Sequence, residues 1–152
     1  MTERSIAYGT FTIERTYPRP AAKVFAAWAD PAMKRKWFGT PKENDPADIF
    51  EFKVGGREYN AGKMGDTEFT FDVRYQDIVP DQRIVYTYDM TMNGERISVS
   101  LATIELKPAG TGTKMIVTEH GAFLDGLDNS AQREEGTNSL IDALGKMLME
   151  EK

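Results

Sequence analysis

The segment from Asp128 to Met149 constrains the fold most, because it reads as one amphipathic helix at the end of a chain otherwise patterned as strands. At about 100° per residue, Arg133, Gly136, Thr137, Leu140, Ile141, Leu144, Met147 and Leu148 fall on one face, with Gln132, Glu135, Asn138, Asp142 and Lys146 largely opposite. Such a face must be buried against another element. Asp128 or Ser130 can cap the start, and Glu134 and Glu135 near that end suit the helix dipole. The inward face is uneven: its second half is Leu, Ile and Met, whereas its first half offers Arg133, Gly136 and Thr137. A glycine inside a helix costs about 1 kcal/mol relative to alanine, so Gly136 needs a reason, and small and polar groups facing inward suggest a pocket.

A chain of 152 residues, 40% of them hydrophobic, can bury one core, so a single domain over residues 1–152 is expected. No run approaches the length of a membrane span, and the polar start lacks a signal peptide's apolar segment, so a soluble, cytoplasmic protein is expected. The absence of cysteine excludes disulfides, thiolate metal sites and a cysteine nucleophile, and one histidine, His120, argues against zinc. A net charge of -5 argues against a nucleic-acid surface. The one basic run, Lys34-Arg35-Lys36, reads as the solvated face of a helix rather than as a partner-binding patch.

In chain order, Thr10 to Tyr17 alternates as a half-buried strand with Phe11, Ile13 and Tyr17 inward and Arg15 at the edge of the core. Pro18 and Pro20 end it. Ala21, Val24, Phe25 and Trp28 define a helix, and Asp30-Pro31 caps and opens a second, short one carrying Met33 and Trp37. Gly39 to Pro46 is turn-rich. Phe50, Phe52 and Val54 alternate as a second strand ending at Gly55-Gly56, followed by strands over Arg57 to Lys63, Phe69 to Tyr75 and Ile84 to Met90. Asn93-Gly94 marks a hairpin into a strand from Arg96 to Lys107, whose change of apolar parity between Leu101 and Ile104 suggests a bulge near Ala102. Thr113 to His120 is the last strand. The expected class is α+β: a curved antiparallel sheet of about six to seven strands wrapped around the long C-terminal helix, with two short helices after the first strand.

Glu14-Arg15-Thr16-Tyr17 with Pro20, Val24-Phe25 with Trp28 and Asp30-Pro31, Lys36-Trp37-Phe38-Gly39, Gly55-Gly56-Arg57, Asp77-Ile78-Val79-Pro80 before Arg83-Ile84-Val85-Tyr86, Gly112-Thr113 and Glu135-Gly136 follow one another in a characteristic order. Together they resemble the family named after the activator of the heat-shock-protein-ninety ATPase, within the START-like, or SRPBCC, superfamily. The resemblance covers nearly the whole chain. It implies a helix-grip fold whose sheet and long helix enclose a cavity for apolar or amphipathic small molecules. Thr137 stands where many members carry a large aromatic residue, which would enlarge the cavity, and Val73 where many carry glycine, which would shrink it. The eukaryotic activator resembles this domain only in its C-terminal half, so a chaperone partner is the weaker implication.

Motifs of nucleophilic, phosphate-binding, dinucleotide-binding and metalloprotease chemistry are absent, and no cofactor is expected. A carboxylate in an apolar pocket can still act as an acid or base near neutral pH. Glu119 is the candidate, because it follows Met115 and Val117 inward along the last strand and Arg133 enters from the helix. Glu119 and Arg133 either form the polar end of an aromatic cavity lined by Phe71, Tyr75, Tyr86 and Tyr88, or pair at its wet rim while the aromatic residues fill the core. Val73, Gly136, Thr137 and Leu140 complete the expected lining, with Trp37 at the mouth. His120, on the opposite parity from Glu119, reads as a surface residue. The expected function is non-catalytic binding of a small hydrophobic or amphipathic molecule by a monomer or homodimer. A polyketide cyclase-like acid-base enzyme using Glu119 and a co-chaperone-like interaction module are the alternatives.

Overall fold

Period-two alternation dominates the chain, and the computed structural model, which describes residues 4–38 and 49–150, gathers those segments into one sheet. The elements are β1 (Ile6–Tyr17), α1 (Ala21–Ala29), α2 (Pro31–Lys34), β2 (Ile49–Phe50), β3 (Arg57–Met64), β4 (Thr67–Val79), β5 (Arg83–Met92), β6 (Glu95–Ala109), β7 (Gly112–Leu124) and α3 (Ser130–Glu150). The sheet is antiparallel and seven-stranded, in the order β1-β7-β6-β5-β4-β3-β2. Every neighbouring pair except β1 and β7 is consecutive in sequence, so one long-range pairing, Ile6 with Leu124 through Tyr17 with Thr113, closes a simple meander. The turn-rich stretch from Gly39 to Pro46 lies outside the described residues. Among the described residues no helix is long and apolar enough to cross a membrane.

Turn chemistry explains the connections. Asn93 and Gly94 both have positive φ, 50° and 84°, the geometry of a tight hairpin between β5 and β6. At Gly56 a Cβ would come within 2.1 Å of the Glu51 carbonyl oxygen, so only glycine permits the tight turn before β3. That turn takes over the expected second strand: β2 stops at Phe50, because backbone bonds from Lys53 to Glu51 and from Gly56 to Lys53 fold residues 51–56 on themselves. Phe52 still packs edge-on against Tyr75.

The bulge expected near Ala102 lies elsewhere. From Ser98 onward β6 runs in unbroken register with β7, and Ser98, Ser100, Ala102, Ile104 and Leu106 are all buried. The irregularity falls where β5 passes from Met90 to Thr91 and Ile97 is left without an opposite residue. Hydrophobicity misassigned the faces because the inward positions here are serine and alanine, while Val99 and Leu101 face outward and are exposed.

Asp30 caps α2 through the Ala32 N–H, with Pro31 in the first helical position. The basic run behaves differently from its sequence reading. Lys34 is only 6% exposed; its Nζ lies 2.7 Å from Glu58 Oε1 on β3 and 4.8 Å from the centre of the Phe38 ring. Tyr75 donates its hydroxyl hydrogen to the same Glu58, and Asn60 donates to the other carboxylate oxygen at 3.1 Å. A buried cation is tolerable here because a buried, hydrogen-bonded carboxylate faces it. Arg15 sits at the sheet edge and reaches Asn138 and Asp142 of α3.

The start of α3 is capped by Asn129, whose Oδ1 accepts from the Gln132 N–H at 2.9 Å, rather than by Asp128 or Ser130. Asp128 instead accepts from the Asn129 N–H and from Arg133. The second half of α3, with Ile141, Leu144, Met147 and Leu148, shares one core with Val24 and Ala27 of α1 and Phe11, Ile13 and Met115 of the sheet. The first half, up to Ser139, contributes no residue to that core, and Leu140 packs against its edge.

Two glycines in α3 separate packing from propensity. A Cβ at Gly136 would meet nothing within 4 Å, whereas at Gly145 it would lie 3.2 Å from Tyr17 Cε1. Gly136→Ala is therefore expected to raise stability by roughly 0.5–1 kcal/mol in urea unfolding, and Gly145→Ala to gain less or lose. Removing the Lys34 cation strands Glu58, so Lys34→Ala should cost about 3–5 kcal/mol. Pairing it with Glu58→Gln in the same unfolding assay should recover part of that loss.

Candidate functional site

The small and polar first half of α3 stands over a cavity of about 520 Å³ bounded by β3, β4, β5 and β7 and by the Trp28 and Trp37 rings. Of the residues expected to line it, Trp37, Phe71, Tyr86, Tyr88, Glu119, Arg133, Gly136, Thr137 and Leu140 do so. Val73 and Tyr75 do not. Val73 is buried in the core, and Tyr75 turns its hydroxyl to Glu58 while its ring stacks edge-on with Phe52. Trp37 lies on the inner wall rather than at the mouth: it is buried, its indole N–H donates to the Ala27 carbonyl at 2.8 Å, and its ring packs 4.8 Å from that of Trp28. The open side runs between Ala61, Lys63 and Met64 of β3 and Gln132 and Gly136 of α3, all exposed.

At the polar end Glu119 is 4% and Arg133 8% exposed, so this is no wet rim. The two charges do not touch closely; Arg133 Nη1 is 3.9 Å from Glu119 Oε1. Tyr88 bridges them, accepting from Arg133 Nη1 at 2.9 Å and donating to Glu119 Oε1. Arg133 Nη2 donates to Ser98 at 2.7 Å and to Asp128 at 2.8 Å, and Nη1 also reaches Ser100 at 3.5 Å. Its guanidinium lies 5.6 Å from the Tyr88 ring centre and 5.4 Å from that of Phe123.

Burial pushes the Glu119 carboxyl up to about 7; the Arg133 charge and a hydrogen bond from Thr137 oppose that rise, and nearby Asp128 adds to it. Tyr86 is driven up by burial and by the charges of Glu119 and Glu58, so it remains a neutral phenol. His120 lies exposed on the outer face, 2.9 Å from the Thr10 hydroxyl. Among the described residues, no group of three or more His, Asp or Glu side chains is placed to hold a metal ion.

Sequence reasoning did not find Ser98, Ser100 or Asp128 as partners of Arg133, nor Phe38, Asn60 and Trp28 as cavity wall. The signal for the serines was their shared parity with Ala102 and Ile104.

A carboxyl whose folded pKa exceeds its unfolded value stabilises the fold below the unfolded value, and that contribution is lost as pH rises through the folded one. Stability contributed by Glu119 should therefore fall as pH rises from about 4.5 to about 7. Carbon NMR of the glutamate side chains should show one carboxyl titrating near pH 7. Urea unfolding of Glu119→Gln should lose less stability across that window than the unsubstituted chain.

The comparisons with known proteins agree with this architecture. Residues 18–149 match the family described as activator of Hsp90 ATPase homolog 1-like protein. Among solved structures, the Mll3558 protein from Rhizobium loti is 45% identical, over 94% of this chain and 99% of that one, with a TM-score of 0.87. A protein from Rhizobium leguminosarum is 39% identical, over 99% and 100%, with a TM-score of 0.90. The CV1439 protein from Chromobacterium violaceum shares the fold at 21% identity and a TM-score of 0.73, over 93% and 98%. No curated protein matches the chain. With a curved antiparallel sheet, a long C-terminal helix and a family model matched along nearly its full length, the chain belongs to the activator of Hsp90 ATPase homolog 1-like family within the START-like, helix-grip proteins.

Proposed function

We propose that this protein binds a small hydrophobic or amphipathic molecule in the cavity between the sheet and the first half of α3, without transforming it. The observation that carries this reading is the cavity itself: about 520 Å³, within the roughly 300–1,000 Å³ range of small-molecule sites. Aromatic walls with a few convergent polar groups at one end are the usual composition of such a site. Nine residues expected from the sequence surround it: Trp37, Phe71, Tyr86, Tyr88, Glu119, Arg133, Gly136, Thr137 and Leu140. The family's association with apolar ligands is in keeping with this.

One observation favours a second reading. Glu119 faces the cavity with its carboxyl poised near 7, as a general acid or base of cyclase-like chemistry would be. The co-chaperone alternative loses part of its basis, because Lys34 is committed to Glu58 and only Arg35 and Lys36 of the basic run reach the surface.

Gly136→Trp places an indole where a side chain has open space, at the mouth. It should abolish the amide NMR shifts that apolar aromatic compounds produce at Thr137, Leu140 and Glu119, with the circular dichroism spectrum unchanged. Binding undiminished by this substitution would overturn the cavity as the site. If the protein is an enzyme, Glu119→Gln removes turnover and leaves the affinity of a neutral ligand within about tenfold, roughly 1.4 kcal/mol.

A further inference from the structure

The charges around the cavity are unevenly committed. Each terminal nitrogen of Arg133 carries two N–H groups, and each already has two acceptors: Tyr88 and Ser100 for Nη1, Ser98 and Asp128 for Nη2. The other lining cation among the described residues, Lys63, lies at the mouth, 66% exposed and 3.5 Å from Glu68. Lys34 is not in the lining and is held by Glu58. Four of the five N–H groups of Arg133 are thus engaged, including both terminal nitrogens, so the paired donors that grip a carboxylate at the buried end are already used.

The acceptor side is the reverse. Two carboxylates, Glu119 and Asp128, line the buried end against one guanidinium. A carboxylate offers about four lone-pair positions, of which Tyr88 and Thr137 engage two on Glu119. The walls are aromatic faces, including Trp37, Phe71 and Tyr88, whose negative quadrupoles attract cations and the positive ends of N–H and O–H groups. Once Glu119 is ionised, above about pH 7, a carboxylate entering here would be a third anion in a low-dielectric site whose guanidinium already serves four acceptors.

We infer that the ligand of this cavity carries a hydrogen-bond donor, a hydroxyl or an ammonium, on an apolar aromatic body, and that the site rejects a carboxylate on the same body. The donor meets Glu119, while the body lies against the rings toward the mouth. This rests on the small-molecule reading above and adds the head group to it.

The test uses one body with four head groups: methylanthracene, anthracenemethanol, anthracenemethylammonium and anthracenecarboxylate, titrated by fluorescence against the full chain at a pH about one unit above 7, where Glu119 is ionised. The methanol and ammonium forms should bind at least about tenfold more tightly than the carboxylate, and more tightly than the methyl compound. Glu119→Gln should narrow the gap between ammonium and carboxylate. Asp128→Asn, which leaves Arg133 less compensated, should move it the same way and serves if Glu119→Gln does not fold. A carboxylate binding as tightly as the ammonium, or a methyl compound matching the methanol, would overturn the donor requirement while leaving the cavity a binding site. Binding by none of the four would overturn the small-molecule reading and this inference together.

Discussion

Much of this molecule follows from the placement of the Arg133 guanidinium. Taking a cation out of water at the start of a helix is expensive unless its N–H groups find acceptors, and here two serines from β6, one tyrosine from β5 and Asp128 take the four on its terminal nitrogens. Tyr88 and Phe123 cover its faces. The result is a polar strut between α3 and the sheet. Farther along the same helix, Ile141, Leu144 and Leu148 enter the core directly. The helix is thus held by two different kinds of interaction, and the space lies alongside the polar one.

The two buried charge clusters of the inner face illustrate opposite solutions. Lys34 and Glu58 approach to 2.7 Å, and Tyr75 and Asn60 add hydrogen bonds to the carboxylate. That group is electrically closed, which suits a structural role joining α2 to β3. Glu119 and Arg133 stay 3.9 Å apart with Tyr88 between them, and Arg133 gives its shorter contacts to Asp128 and Ser98. Glu119 is therefore incompletely compensated, which is why burial dominates its ionisation. Proximity of opposite charges alone does not decide whether a pair is structural; the number of other partners each charge has does.

The same distinction explains what could be read from the chain. Alternation in Phe69 to Tyr75 and Ile84 to Met90, with Asn93-Gly94 between strands, determines a meander through local rules, so sheet and closing helix were legible. Gly136 and Thr137 signalled a cavity because they break a helix's usual inward composition. Lys34 was misread because its burial depends on Glu58, 24 residues away and on another element, which no local pattern encodes. Ser98 and Ser100 suffered the same fate: their inward orientation is stabilised by Arg133 from the opposite layer, so a hydrophobicity scale placed them outside. Asn129 was passed over as a cap because its two neighbours, Asp128 and Ser130, are equally good cap formers.

Local rules are broken at several points in this fold, and the breaks coincide. A helix-interior glycine, two inward serines on a strand, a buried guanidinium and a carboxyl raised toward neutrality each oppose stability when taken singly. Unrelated sequence drift would scatter such features over the molecule. Here Gly136, Arg133 and Glu119 border one cavity, and Ser98 and Ser100 hold the arginine that stands at its end. The opposite half of α3 packs as an apolar helix, and its one glycine, Gly145, is explained by the close approach of the Tyr17 ring. A stability cost concentrated in one place, with the remaining core well packed around it, is the arrangement expected when a fold retains space and polarity for something other than its own folding.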